Sequence, residues 1–268
     1  MANFQRTLSA AAKGQVIVPH IRAEMAAPGF KGFDVTVRGW QEGQREFDGW
    51  FHPSTHATWT ARQLALYLMH GGQMPQERPD VHFVLAVTQG SFWHELFQRI
   101  LLRGEILRRN PGTKWKDPIE KQAEIPIRDP HHNVLGHADG RMATADDELF
   151  EFKTTSSDRI VKSYRDGGEA YLREKNPYGY YSQTQDYLAV TGLAKTRYLV
   201  LGMVPGFPME EFVVHADPRF QAAQRAKYRT AIEHASRGTL PEACCGIGSK
   251  ESKTCPSARF CPIGKVLT

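Results

Sequence analysis

The sequence predicts an α/β chain with a mixed central β-sheet flanked by helices. Three observations lead there. Apolar residues recur at helical spacing from about 55 to 103, the period drops to two from about 122, and helix and strand patterns alternate from 178 to 238. No segment repeats itself.

Taken in order, residues 1–50 carry short apolar runs such as VIVPHI and FDVTV among glycines, which predict irregular structure around one or two strands. In FHPSTHATWTARQLALYLMHGG a Ser/Thr-rich cap leads into Trp59, Leu64, Leu66, Tyr67 and Leu68 and stops at Gly71-Gly72, the pattern of a helix. Phe83, Val84, Val87, Trp93, Phe97, Ile100 and Leu101 then mark a long, well-buried helix that carries Gly90 and His94. QAEIPI, NVLGHADGRM and DELFEFKT read as three successive strands, a meander with turns at Asp129-Pro130 and Ala145-Asp146. A helix follows near 178–191, ended by Gly192. TRYLVLGMV and EEFVVHA are two further strands, and Asp217-Pro218 opens a helix running to Gly238.

At 268 residues the chain can bury one substantial core, and 41% hydrophobic against 24% charged residues is a globular composition. No run of 18 apolar residues argues for a membrane span, and the N-terminus lacks the apolar core of a secretory signal, so a cytoplasmic protein is expected. The formal charge of +5 favours a polyanionic partner. All four cysteines, Cys244, Cys245, Cys255 and Cys261, fall in the last 25 residues, a clustering that points to metal ligation more than to disulfides.

The chemistry concentrates in GHADGRMATADDELFEFKT, residues 136–154. Strand alternation puts Glu151 and Lys153 on one face, with Phe150 and Phe152 on the other, and Asp139 comes from the neighbouring strand. Two close carboxylates raise each other's pKa unless a cation lies between them, and Mg²⁺ or Mn²⁺ prefers such oxygens. With Lys153 to hold or deprotonate a water and to stabilise negative charge, the set suits metal-assisted phosphodiester hydrolysis. A solvated hairpin face with a Glu–Lys pair is the plain alternative. His94 falls four residues after Gly90 on one helix face, and Gln183 and Tyr187 are likewise one turn apart, able to share a surface. His131 and His132 read as turn residues, and His137 as a DNA or water contact.

The order G-x-x-x-H on a helix, Glu on a strand, then G-H-A-D-G, E-F-K and Q-x-x-x-Y resembles the RecB-type nuclease branch of the PD-(D/E)xK superfamily, which includes phage exonucleases and CRISPR-associated adaptation exonucleases. The resemblance covers about residues 50–265. It implies a restriction-endonuclease-like core over 51–240, an N-terminal appendage over 1–50, and a cysteine-rich segment over 241–268 packed on the core. It further implies one or two Mg²⁺ or Mn²⁺ ions held by His94, Asp139 and Glu151, with Lys153 catalytic and Glu124 matching an acidic residue on the preceding strand. Gln183 and Tyr187 would border the DNA, as would Arg62.

Members of this branch often carry a four-cysteine iron–sulfur cluster, with one ligand before the core and a C-x₂-C-x₅-C ending. Cys255 and Cys261 match the last two positions, while Ser252 and Thr60 stand at the other two, so Cys244 and Cys245 would complete a local set. Thiolates suit either a [4Fe-4S] cluster or zinc. The expected function is a metal-dependent DNA exonuclease acting on single-stranded or duplex ends in phage-type recombination, with an oligomer or a recombination protein as further partner. No GxxxxGK[ST] motif accompanies it, which fits a stand-alone nuclease. The alternatives are a non-catalytic DNA-binding or assembly protein on the same fold, and a structure-specific endonuclease.

Overall fold

The structure, a computed structural model, describes residues 14–33, 35, 47–73, 80–144, 146–246, 249–253 and 255–262. In chain order its elements are α1 (Ile17–Met25), α2 (Pro53–His56), α3 (Ala61–His70), α4 (Val81–Arg103) and α5 (Ile119–Ala123). They continue with β1 (Ile125–Asp129), β2 (Val134–Ala138), β3 (Gly140–Arg141), β4 (Leu149–Thr155), α6 (Asp158–Lys175) and α7 (Tyr180–Thr191). Last come β5 (Lys195–Gly202), β6 (Met209–His215), α8 (Pro218–Ser236) and α9 (Lys250–Lys253). The chain forms two compact units. One takes the described parts of Met1–Trp40, Pro79–Pro126 and His137–Ala216, the other those of Gln41–Arg78, Ile127–Gly136 and Asp217–Thr268. The expected divisions at 50 and 240 run in chain order, whereas these units interleave.

The first unit is built on a four-stranded mixed sheet of order β3-β4-β5-β6. β4 and β5 are parallel, with Glu151 opposite Tyr198 and Lys153 opposite Val200, and the two outer pairings are antiparallel. A parallel pair needs a long crossover, and α6 and α7 supply it. On one side Phe150, Phe152, Leu199 and Leu201 pack with Phe97, Ile100 and Leu101 of α4 and with Ile17 and Ile21 of α1. The α/β class and the mixed sheet flanked by helices are as the hydrophobic pattern predicts.

Three elements depart from expectation. VIVPHI is helical, not extended: the Glu211 carboxylate on β6 accepts from the backbone N–H groups of Val16, Ile17 and Val18 at 2.8, 2.9 and 3.0 Å. An acid at a helix N-terminus satisfies donors that would otherwise be orphaned. Glu211 is itself held by Arg197, which also pairs with Glu148, at 2.9 and 2.6 Å. The FDVTV run falls largely outside the described residues.

The expected three-strand meander is divided between two sheets. NVLGHADGRM breaks at Asp139 into β2, which pairs with β1 in a separate two-stranded sheet, and β3, which pairs with β4. In QAEIPI, Gln122 and Ala123 end α5, so Glu124 lies just ahead of β1 rather than on a strand. The polar stretch after β4 forms the amphipathic helix α6, kinked at Gly168, where φ is 48° and a side chain would be strained.

In the second unit the Thr60–Gln63 capping box starts α3, and Asp217 with Pro218 starts α8 as expected. Phe51 stacks on Tyr228 at 5.2 Å between ring centres, and the Gln224 amide and Lys227 ammonium both donate to the Ala57 carbonyl. His132 pairs with Asp129 at 2.7 Å in the turn before β2. Among the described residues no helix is long and apolar enough to cross a membrane.

Candidate functional site

The first unit brings His94, Asp139, Glu151 and Lys153 together. α4 delivers His94 because Gly90, one turn earlier, lets the helix run close to β4. A Cβ at Gly90 would stand 3.3 Å from the Thr154 hydroxyl, tighter than ordinary packing. Asp139 occupies the break between β2 and β3, where the chain leaves one sheet for the other. Glu151 and Lys153 project from one face of β4, and the Lys153 ammonium donates to Glu151 Oε2 at 2.8 Å.

Asp139 Oδ2 receives His94 Nε2 at 2.9 Å and the Phe152 backbone N–H at 2.7 Å. Gln98 completes the frame. Its amide nitrogen donates to the Asp139 carbonyl at 2.6 Å, which turns its oxygen toward His94 Nδ1 at 3.2 Å. Both imidazole nitrogens therefore face acceptors, the arrangement of an imidazolium. Burial works to lower the His94 pKa, but the charge and hydrogen bond of Asp139 outweigh it and the net direction is up. Burial likewise opposes ionised Asp139, yet His94, Lys153 and the Phe152 N–H hold it below the usual carboxylate range.

Glu151 differs. It is 1% exposed, and among the described residues its Oε1 finds no hydrogen-bond partner. Burial first, and the Asp139 charge second, push its pKa up to about 7 despite Lys153. Lys153 is buried too, which disfavours its charge, but Glu151 and Asp139 more than compensate and its pKa lies well above the ordinary value. The ammonium also sits 4.8 Å from the centre of the Tyr180 ring, a cation–π contact.

Among the described residues no three His, Cys, Asp or Glu side chains stand ready-made around a metal position. The chemistry of the donors still fits a hard divalent cation. A buried carboxylate oxygen without a partner, beside a second carboxylate whose charge raises its pKa, is the conflict that such an ion relieves. His94 Nε2 can join only by exchanging its proton for the ion, since both need the same lone pair.

A cleft of about 450 Å³ opens on the His94 and Asp139 side of this group, lined by these two with Glu95, Gln98, Glu120 and Glu124 among others. Glu124 thus lies in the cleft, though off the strand expected for it. Gln183 and Tyr187 are one turn apart on α7 and hydrogen-bonded at 2.9 Å, but both are buried rather than on a shared surface. They back the site: burial and then the Glu151 charge raise the Tyr187 pKa. The sequence reading missed Gln98, although its spacing of four from His94 on one helix was legible.

In the second unit the four cysteines, none of them in a disulfide among the described residues, line one small cavity of about 10 Å³. Gln63 Nε2 donates to Cys255 Sγ and Arg62 Nε to Cys261 Sγ, each at 3.4 Å. Arg62 also donates to the Pro241 carbonyl at 2.6 Å, so its guanidinium is turned into the tail. Desolvation and then the neighbouring sulfurs raise the Cys245 pKa. Four sulfurs with N–H donors aimed at two of them suit thiolate ligation.

No family model matches the chain, and no curated protein matches it. Among solved structures it is similar to LHK-Exo, an alkaline exonuclease from Laribacter hongkongensis, alone and in complex with dAMP. In both cases the identity is 14%, the TM-score 0.47, and 71% of this chain and 89% of that chain are covered. A phage related exonuclease from Haemophilus somnus 129PT is similar at 11% identity and TM-score 0.44, over 66% of this chain and 79% of the other.

Proposed function

We propose that this chain is a divalent-metal-dependent deoxyribonuclease that hydrolyses phosphodiester bonds from DNA ends. The observation that carries the reading is the buried Glu151 carboxylate, with one oxygen unpartnered, held between Asp139 and the Lys153 ammonium. Asp139 and Glu151 are the oxygens that would hold Mg²⁺ or Mn²⁺, with His94 Nε2 joining them once deprotonated. The ion, when bound, polarises the phosphate and lowers the pKa of an attacking water.

The chain's own residues do the rest. Lys153, kept protonated by its two acidic neighbours, is a donor to phosphate oxygen rather than a base, and neutralises charge that develops there. Gln98 fixes the His94 ring and the Asp139 backbone together, so that both ligands move as one. Glu124, on the cleft wall, is placed for a second ion or a bound water. Gln183 and Tyr187, buried as a hydrogen-bonded pair, would act on DNA only through the site.

The tail cysteines form a structural centre in this reading. Ser252 stands where the C-x₂-C-x₅-C pattern has a cysteine, and this departure from the iron–sulfur spacing favours zinc. The cellular setting in this reading is recombination or DNA processing in the cytoplasm. The test is digestion of end-labelled linear DNA and covalently closed circles with Mg²⁺, Mn²⁺ or EDTA. Mononucleotide release from linear DNA alone, only with metal, is expected. Cleavage of circles would make the protein an endonuclease, and binding without cleavage in any metal would make it a non-catalytic DNA-binding protein.

A further inference from the structure

The turn between α6 and α7 contains an oddity that packing does not explain. Tyr178 has φ 54° and ψ 15°, the left-handed region that bulky residues seldom adopt, yet its side chain is an exposed aromatic at 71%. A glycine would meet that backbone without strain. The turn is held firmly. Asn176, itself at φ 41°, accepts the Tyr181 N–H at 2.9 Å through its side-chain oxygen and donates to the Ser182 hydroxyl at 2.8 Å. Gly179 follows at φ 77° and donates its N–H to the Asn176 carbonyl at 3.0 Å. Strain of this kind persists where surrounding structure fixes it, and it gathers at functional sites.

The direction in which the turn points is informative. The Tyr178 ring lies 5.5 Å from that of Tyr180, tilted by 43°, and Tyr180 carries the Lys153 ammonium 4.8 Å from its centre. Two aromatic rings therefore lead outward from Lys153 toward solvent, the inner one half-buried and the outer one open. A nucleobase has an apolar face of matching size, and aromatic rings beside a phosphate-binding cation are how unpaired bases are held. A base inside a duplex hides both faces in its stack, whereas an unpaired or frayed end presents a single base with its faces free.

We infer that Tyr178, with Tyr180 behind it, is a stacking platform for an unpaired nucleobase adjoining the phosphate held at Lys153, and that an unpaired strand end is the preferred substrate. The inference rests on the reading of this site as a phosphodiester hydrolase. Tyr180 spans the platform and the ammonium, so that base stacking sets the position of the phosphate.

The experiment compares wild type, Tyr178→Gly and Tyr178→Phe on 5′- and 3′-labelled single-stranded oligonucleotides with either a normal or an abasic terminal nucleotide. Cleavage is followed in Mg²⁺ or Mn²⁺ and binding by anisotropy in Ca²⁺, with melting temperature measured alongside. Wild type and Tyr178→Phe should favour the normal terminus roughly tenfold to a hundredfold in KM. Tyr178→Gly should lose that preference while melting no lower than wild type, since the substitution removes strain. Cleavage by wild type with the preference intact in Tyr178→Gly, or with no preference in any form, would overturn the platform and leave the hydrolase standing. Base-dependent binding that Tyr178→Gly abolishes, without cleavage by wild type, would keep the platform and overturn the hydrolase. Neither binding nor cleavage would overturn both.

Discussion

Replacing Glu151 by Gln tests whether that carboxylate is as isolated as its geometry says. The group is 1% exposed, with one oxygen unpartnered and a pKa of about 7 against an ordinary 4.5. A raised pKa means that the folded state binds the proton more tightly than the unfolded one. Its contribution is therefore fully present below 4.5 and is lost as pH rises through 7. At about 1.4 kcal/mol per pH unit, most of that window lies between pH 5 and 8, and it amounts to roughly 2–3 kcal/mol. Gln matches the protonated acid in shape and does not titrate. Urea unfolding in EDTA, followed by tryptophan fluorescence at pH 5, 6, 7 and 8, should show the stability gap between variant and wild type shifting toward the variant by that amount. His94 and Asp139 remain in both proteins, so the difference reports Glu151 together with its effect on those neighbours. Parallel stability curves, with a gap constant to about 0.5 kcal/mol, would refute the desolvated carboxylate.

Glu211→Ala should cost about 3 kcal/mol or more of unfolding free energy, because it uncaps α1 and leaves Arg197 with one carboxylate; a loss under about 1 kcal/mol would remove Glu211 from that role. Gly90→Val should lower cleavage by at least about tenfold with a smaller effect on melting, since its Cβ meets Thr154 and moves His94 outward; unchanged cleavage would show that α4 does not set the site. Freshly purified protein should contain about one zinc per chain and absorb little near 400 nm, and Cys255→Ala should lose both that zinc and several degrees of melting temperature. A strong 400 nm band would establish an iron–sulfur cluster instead.

Where the fold was legible, local chemistry decided it. The Thr60 capping box, Gly192 and Asp217-Pro218 mark helix ends through their own side chains and backbone, and the alternation in DELFEFKT fixes which residues share a face. Distant partners decided the rest. VIVPHI looks extended because its helix is capped by a carboxylate nearly two hundred residues away, at Glu211. NVLGHADGRM looks continuous because alternation does not say which sheet a strand joins, and its two halves join different ones. In the site, residue types and order pointed to His94, Asp139, Glu151 and Lys153, and the structure gathers them. The burial of Gln183 and Tyr187, the bridge made by Gln98 and the inward turn of Arg62 depend on packing that spacing alone does not encode.

The most direct measurement is anomalous diffraction from crystals of the protein soaked in Mn²⁺. The account predicts a peak within about 2–2.5 Å of one oxygen from each of Asp139 and Glu151, with Lys153 displaced from Glu151 toward the open cleft. An empty map there at saturating manganese, with Glu151 still clasped by Lys153, would contradict it.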